Sequence, residues 1–320
     1  MRLRATICSS TDSIRTLILG VAIAGVLGLT SVASAGQNAP EESSRTAMEW
    51  LSLGNMILTP LIMVAIAVFG VWKLPPSPKI AAWRIPLEIG ALVFGSSILL
   101  SGIGQQYAIQ KFATDDPVTL QGIATLGNYI GALLPLIVMA FLWNQFPKPI
   151  GAERSETALR SLGIGVIAIL AMLPIIEGVG SLGVLIQERL QGSSPDPVAH
   201  QTLKLLTQSP IEGWWWMIAG GAIILAPIVE EILYRGIVQQ SLRRLKVPRW
   251  WAILATSAGF TLMHIPVLND DAMISSLVML MFASMSFGWI RERTGLMAPS
   301  ILAHMLFNAI NVLLAITMTA

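Results

Sequence analysis

The chain has 320 residues, of which 54% are hydrophobic and 12% charged, and its formal net charge is +2. Soluble domains usually carry about 25% charged residues, so this composition excludes an ordinary water-soluble protein and favours a polytopic membrane protein. The small net charge gives no support to nucleic acid or another polyanion as a partner. The single cysteine, Cys8, excludes a disulfide framework and a cysteine-built metal site.

The first 35 residues have the pattern of a signal sequence. Basic residues precede an apolar run from Leu17 to Val32, and an Ala-Ser-Ala triplet follows it at residues 33–35. An uncleaved first membrane helix explains the same pattern. We therefore expect residues 1–35 to be a signal peptide or a signal anchor.

Eight further apolar stretches are long enough to cross a membrane as helices. They lie near residues 50–72, 85–103, 118–143, 161–187, 214–238, 250–268, 272–290 and 296–318. The sequence thus predicts an all-α fold, a transmembrane bundle of about eight spans after the signal-like segment. Residues 36–212 would form the N-terminal helices and an external loop near 187–212, in which we expect His200 to be solvated. Residues 213–318 would form a second membrane domain.

The positions of the basic residues predict the orientation of these spans. With the N-terminus inside, 15 of the 20 Lys and Arg residues fall in inside segments, four fall outside, and Arg235 lies within a span. An excess of Lys and Arg marks the cytoplasmic loops of membrane proteins. Together with the signal-like leader, this pattern favours a multi-pass protein of the bacterial inner membrane.

Ionisable groups within membrane spans are costly and are therefore candidates for function. Counting at about 1.5 Å per helical residue from the cytoplasmic charges places the polar groups of three different spans at a similar depth, roughly 16–23 Å. These groups are Glu230, His264, His304 and Asn308. A shared site within the membrane explains this common depth.

Helix geometry assigns directions to these side chains. Glu231 and Arg235 are four residues apart and can form an ion pair along one helix face, while Glu230 points about 100° away and is free to face the site. His304 and Asn308 are also four residues apart, so both can point at one place. Pro227, one turn before Glu230, removes a backbone hydrogen bond and can open the helix there.

Two chemistries fit these residue types. A glutamate and a histidine can deprotonate a trapped water molecule, while a histidine and an asparagine amide can stabilise an oxyanion. Alternatively, Glu230, His264 and His304 could hold zinc with water as the fourth ligand, although the H-E-x-x-H motif of many zinc hydrolases is absent.

Three short motifs carry a resemblance to a known family. "EEILYRG" (Glu230–Gly236) looks like E-E-x-x-x-R, "FTLMH" (Phe260–His264) looks like F-x-x-x-H, and "HMLFN" (His304–Asn308) looks like H-x-x-x-N/D. The sequence thereby resembles the CPBP family of intramembrane proteases, also called the Abi or bacteriocin-processing family, which includes the type II CAAX prenyl endopeptidases. The resemblance covers about residues 213–315.

The resemblance implies a helical membrane fold with a cavity and a role for each motif. Glu230 and His264 would activate water, and His304 and Asn308 would stabilise the oxyanion. The remaining motif residues, Glu231, Arg235 and Phe260, would support the site.

We therefore expect a CAAX-prenyl-endopeptidase-like intramembrane protease of the glutamic type. It would need no cofactor, with zinc as the alternative. Its partners would be the lipid bilayer and a membrane-associated protein or peptide substrate, and not nucleic acid. The alternative function is a non-proteolytic scaffold, immunity factor or assembly factor of the same fold.

Overall fold

The computed structural model describes residues 54, 58–61, 86–142, 155–192, 198 and 200–319. Within these ranges the secondary structure is helical and contains no strand. The signal-like segment 1–35 lies outside the described residues, and so does nearly all of the span expected near 50–72. Both therefore remain predictions.

Eight helices follow one another in the described residues from 86 onward. They are α1 (Leu87–Lys111), α2 (Pro117–Leu142), α3 (Ser155–Gln191), α4 (Gln201–Thr207), α5 (Trp214–Arg244), α6 (Arg249–Leu262), α7 (Met273–Thr294) and α8 (Met297–Thr319). Two short 3-10 turns, Ile265–Val267 and Asp270–Ala272, connect α6 with α7.

Seven of the described segments are long and apolar enough to cross a membrane. They include every helix except α4, with α6 counted together with the turn that ends at Val267. These segments match seven of the eight predicted spans, so the chain is an integral multi-pass membrane protein. The short helix α4 lies within the predicted external loop.

Local sequence explains several helix ends. Pro86 directly precedes α1 and Pro248 directly precedes α6, which is favourable because proline has no N–H to lose at a helix start. Helix α7 ends at Thr294, and the next residue, Gly295, has a φ of 75° in the left-handed region that glycine adopts without strain. The chain then turns directly into α8.

Helices α1 and α2 pack with their backbones nearly in contact. A Cβ added to Gly104 would collide with the carbonyl oxygen of Gly127, and one added to Gly131 would collide with the carbonyl oxygen of Leu100. Small residues allow this close approach between membrane helices, where packing rather than the hydrophobic effect drives association.

Two buried clusters meet at the centre of the bundle. One joins α1, α2, α5 and α6 and includes Leu233 and Phe260. The other joins α3, α7 and α8 and includes Ile290 and Phe287. The polar groups of α5 and α8 lie between these clusters.

Helix α5 is not a uniform α-helix. Residues Gly221–Leu225 and Ile232–Gln239 form π-helical segments, and the α-helical segment Ala226–Glu231 lies between them. The first π-helical segment ends two residues before Pro227, which agrees with the prediction that the helix opens there. Such π-helical turns are rare and occur often at functional sites.

Candidate active site

The predicted ion pair between Glu231 and Arg235 is present and fully buried. The Glu231 Oε1 lies 3.1 Å from the Arg235 Nη1, and both side chains have 0% exposure. The Arg235 Nη2 also donates to the backbone oxygen and the hydroxyl of Ser284, both at 2.6 Å. The pair thereby fixes α5 against α7.

Two aromatic rings flank the Arg235 guanidinium. Its central carbon lies 5.2 Å from the centroid of Phe260 on α6 and 5.5 Å from that of Phe287 on α7. A guanidinium over an aromatic face gains a cation–π attraction that is stronger away from water. The rings therefore compensate part of the cost of burying this charge.

Glu231 also connects α5 with α8. Its Oε1 accepts a hydrogen bond from the His304 Nδ1 at 3.1 Å, and its Oε2 accepts one from the Ser300 hydroxyl. His304 is 3% exposed and stacks on the Phe287 ring at 4.4 Å between centroids. The carboxylate therefore sets the position and the ring orientation of His304.

Glu230 has different surroundings from its neighbour Glu231. Its side chain is 27% exposed, and its Oε2 lies 3.7 Å from the His304 Nε2. The charges of Glu231 and Arg235 cancel, so one proton held between Glu230 and His304 leaves the whole cluster neutral. A buried cluster favours this neutral arrangement because unpaired charge is costly away from water.

His264 lies just beyond the end of α6 and is partly buried. Its Nδ1 lies 2.8 Å from the Phe260 carbonyl oxygen, and because a carbonyl only accepts, the Nδ1 carries the hydrogen. The Nε2 therefore presents a lone pair, as a general base needs. In the described residues no hydrogen bond or ion pair joins His264 with Glu230, whereas Glu230 does face His304.

Phe260 brings the second and third motifs to one place. Its ring centroid lies 4.5 Å from that of His264 and 5.8 Å from that of His304. The same ring covers Arg235 of the first motif. The three motifs, which come from α5, α6 and α8, therefore meet around one buried phenylalanine.

Asn308 binds the backbone of α5 where the helix is open. Its Nδ2 donates to the carbonyl oxygen of Ala222 at 2.8 Å. In the π-helical register this carbonyl faces residue 227, and Pro227 has no N–H to donate. The Asn308 amide thus satisfies a backbone acceptor that the proline leaves free, and its second N–H is available to another acceptor.

The described residues do not form a metal site in their present arrangement. No group of three or more His, Cys, Asp or Glu side chains in the described part of the chain is placed to hold a metal ion. The Nδ1 atoms of His264 and His304 both hydrogen-bond to protein oxygens. These bonds leave the two Nε2 atoms as the nitrogens that a metal could bind, so the zinc alternative stays a prediction.

A comparison with protein families identifies the segment that carries these motifs. Residues 212–310 match the family described as type II CAAX prenyl endopeptidase Rce1-like. The Rce1-like family is part of the CPBP family, and the matched CPBP segment carries all three motifs. The matched range agrees with the resemblance seen between residues 213 and 315. No curated protein and no solved structure matches the chain.

Four residues around the CPBP motifs were not predicted from the sequence. Ser300 lies four residues before His304, and its position on the same helix face could have identified it. Ser284 and Phe287 lie on α7, which carries none of the three motifs. Tyr129 lies on α2, outside the CPBP segment, and its hydroxyl donates to the Gly221 carbonyl at 3.1 Å.

Proposed function

We propose that the chain is an intramembrane endopeptidase that hydrolyses peptide bonds of membrane-associated proteins or peptides. The observation that carries the proposal is the meeting of the three CPBP motifs around Phe260. The CAAX-prenyl-endopeptidase type of the matched family supports the same reaction class.

The two adjacent glutamates have separate roles in this proposal. Glu231 accepts hydrogen bonds from Ser300 and His304, pairs with Arg235 and is fully buried, so its carboxylate is occupied by the protein. Glu230 is partly exposed and lacks such a network. Glu230 is therefore the carboxylate that can take a proton from water.

The reaction proceeds by direct attack of water. Glu230, together with the Nε2 lone pair of His264, removes a proton from the water as its oxygen bonds to the scissile carbonyl carbon. The resulting oxyanion accepts hydrogen bonds from the His304 Nε2, which carries the proton shared with Glu230, and from the free N–H of Asn308. The removed proton then passes to the amide nitrogen, the C–N bond breaks, and a carboxylic acid and an amine leave.

The test uses the full chain purified in lipid nanodiscs. The probes are a fluorescent peptide ending in a farnesylated Cys-a-a-X sequence and an unprenylated peptide of the same sequence, with the products identified by mass spectrometry. We expect cleavage by the wild type and at least a hundredfold loss in Glu230→Gln and in His264→Ala, because acid–base catalysis contributes about 10²–10⁴-fold. Glu88→Gln, which changes an exposed glutamate at the start of α1, is the matched control and should keep full activity.

Three results would contradict this proposal. Full activity in Glu230→Gln would exclude Glu230 as the base. Activity that a strong zinc chelator abolishes and added zinc restores would replace the metal-free mechanism with the zinc alternative. Normal function in cells of the Glu230→Gln, His264→Ala double variant would favour the non-proteolytic scaffold.

A further inference from the structure

A histidine outside the CPBP segment lies beside the candidate site. His200 directly precedes α4 and is partly buried, contrary to the expectation that it is solvated. Its backbone forms an isolated antiparallel bridge with Leu268, and the Asn269 Nδ2 donates to the Val198 carbonyl at 3.3 Å. Residues 198–200 are thereby attached to the turn that follows His264.

The other end of α4 is attached to the N-terminal end of α5. Leu206 is 3% exposed and packs with Trp215 and Ile218. The Trp215 Nε1 also donates to the Leu206 carbonyl at 3.0 Å. Helix α4 therefore extends between the two elements that carry His264 and Glu230, and His200 has a fixed position relative to them.

The hydrogen bonds of His200 define its tautomer. Its Nδ1 accepts the backbone N–H of Thr202 at 3.2 Å and so caps α4. The hydrogen of the neutral ring is therefore on Nε2. Burial lowers the pKa of His200 to about 4, and the charge that His264 gains on protonation adds to this shift. At neutral pH His200 is thus an uncharged donor.

The imidazoles of His200 and His264 are complementary. His264 presents a lone pair at Nε2, as its bond to the Phe260 carbonyl requires, whereas His200 presents an N–H. Among the described residues the His200 Nε2 has no hydrogen-bond acceptor. The backbone is also extended at His200 (φ −90°, ψ 124°) and at Leu268 (φ −93°, ψ 148°). This is the backbone form that pairs with an extended peptide.

We propose that His200 is a substrate-binding residue whose Nε2–H donates a hydrogen bond to a main-chain carbonyl of the peptide, beside His264. This inference rests on the proposed peptidase function and extends it to a residue outside the CPBP segment. The substrate that it implies is a peptide bound in extended form against residues 198–200 and the turn at Leu268.

The test compares three substitutions in the full chain. His200→Asn keeps a side-chain oxygen that can cap α4 but is too short to place an N–H at the Nε2 position. His200→Gln places an amide N–H near that position, and Gln201→Ala changes the exposed neighbouring residue as a control. The measurements are kcat and KM for the two probe peptides, and the affinity of each peptide for the same variants in the non-cleaving Glu230→Gln background.

We expect His200→Asn to raise KM about tenfold and to weaken peptide binding about tenfold, with kcat within about twofold of the wild type, because one hydrogen bond to the substrate is lost. His200→Gln should recover part of this loss, and Gln201→Ala should change neither value. If His200 had a purely structural role, His200→Asn would instead lower the thermal midpoint, and His200→Gln would not restore peptide binding.

Unchanged KM and unchanged peptide affinity in His200→Asn would overturn the inference. The proposed function is tested separately, by whether the wild type cleaves the peptides. The role of His200 is tested by peptide affinity in the Glu230→Gln background, where no cleavage is needed. Peptides that bind to no variant would count against both proposals.

Discussion

Glu230 and Glu231 are neighbours in the sequence, yet their surroundings suit them to different roles. Glu231 is fully buried among Arg235, Ser300 and His304, whereas Glu230 is partly exposed beside His304. Their separation by about 100° around the helix is what allows one carboxylate to stabilise the bundle while the other faces the site.

This difference predicts unequal effects on stability. Glu231→Gln leaves the Arg235 guanidinium buried without a counter-charge, which typically costs about 3–5 kcal/mol, so the thermal midpoint should fall clearly. Glu230→Gln should leave the midpoint within about 1 °C of the wild type while it abolishes activity. Thermal unfolding of the two purified variants measures the difference, and equal midpoints would show that the proposed division is wrong.

His200 predicts a dependence of stability on pH. Its pKa is about 4 in the folded chain, below the ordinary value of 6.5, so the unfolded chain binds the proton more strongly. The stability that the neutral ring provides is therefore complete above about pH 6.5 and is lost as the pH falls towards 4. The other charged or titratable residues on the elements around it are His264, Lys204, Glu212, Asp270 and Asp271.

The measurement is the thermal midpoint at pH 7 and at pH 5. We expect acidification to lower the midpoint of the wild type more than that of His200→Asn, whose side chain does not titrate. The same change in both proteins would mean that another group is responsible.

At the scale of helices, α1 and α2 can pack this closely only because glycine carries a hydrogen atom in place of a side chain. Gly104→Ala should force the two helices apart, because the new methyl group meets the carbonyl oxygen of Gly127, a backbone atom that cannot rotate away. Gly102→Ala on the same helix has no atom within 4 Å of its new Cβ and is the matched control.

We expect Gly104→Ala to lower the thermal midpoint and to reduce activity, since α2 carries Tyr129, whose hydroxyl binds the Gly221 carbonyl. Gly102→Ala should be neutral or slightly stabilising, because alanine favours a helix by up to about 1 kcal/mol over glycine. If Gly104→Ala were as stable as Gly102→Ala, the tight packing of α1 against α2 would be disproved.

The bond between Asn308 and Ala222 predicts a coupling between α5 and α8. Asn308→Leu leaves the Ala222 carbonyl without a donor, whereas Pro227→Ala supplies a new backbone N–H that can satisfy it. The cost of Asn308→Leu should therefore be smaller, by about 1 kcal/mol, when Pro227 is already alanine. A double-mutant cycle on the free energy of unfolding measures this term, and strict additivity would contradict it.

Much at this scale could be predicted from the sequence, for identifiable physical reasons. The spacing of four residues predicted the Glu231–Arg235 pair because both residues belong to one continuous helix. No comparable spacing rule predicts which residues of different helices come into contact. For this reason Ser284, Phe287 and Tyr129 were missed, and the preference of Glu230 for His304 over His264 was not expected.

At the scale of the whole molecule, the distribution of basic residues fixes an expected orientation. The connection between α5 and α6 should lie inside and that between α1 and α2 outside. In a Cys8→Ser background, Ala113→Cys should react with a membrane-impermeant maleimide on intact cells. Leu245→Cys, at an exposed position, should react only after permeabilisation, and the reverse pattern would invert the orientation.

The composition predicted a helical membrane bundle because spanning helices must be apolar along about 20 residues. The CPBP match reaches only residues 212–310, yet the site also depends on parts outside it. Helix α3 packs on α7 and α8 through the cluster that contains Phe287. No motif in residues 86–192 indicates this support, because apolar packing faces are chemically alike.

The π-helical segment Gly221–Leu225 also affects how this chain aligns with others. A π-helical turn is equivalent to an α-helix with one inserted residue, so the residues before and after it are rotated relative to each other by about 100°. A helical wheel with a single period over Trp214–Arg244 therefore places Trp215 and Glu230 on wrong relative faces. A related chain with a regular α-helix here would align with this one only through a one-residue gap between residues 221 and 225.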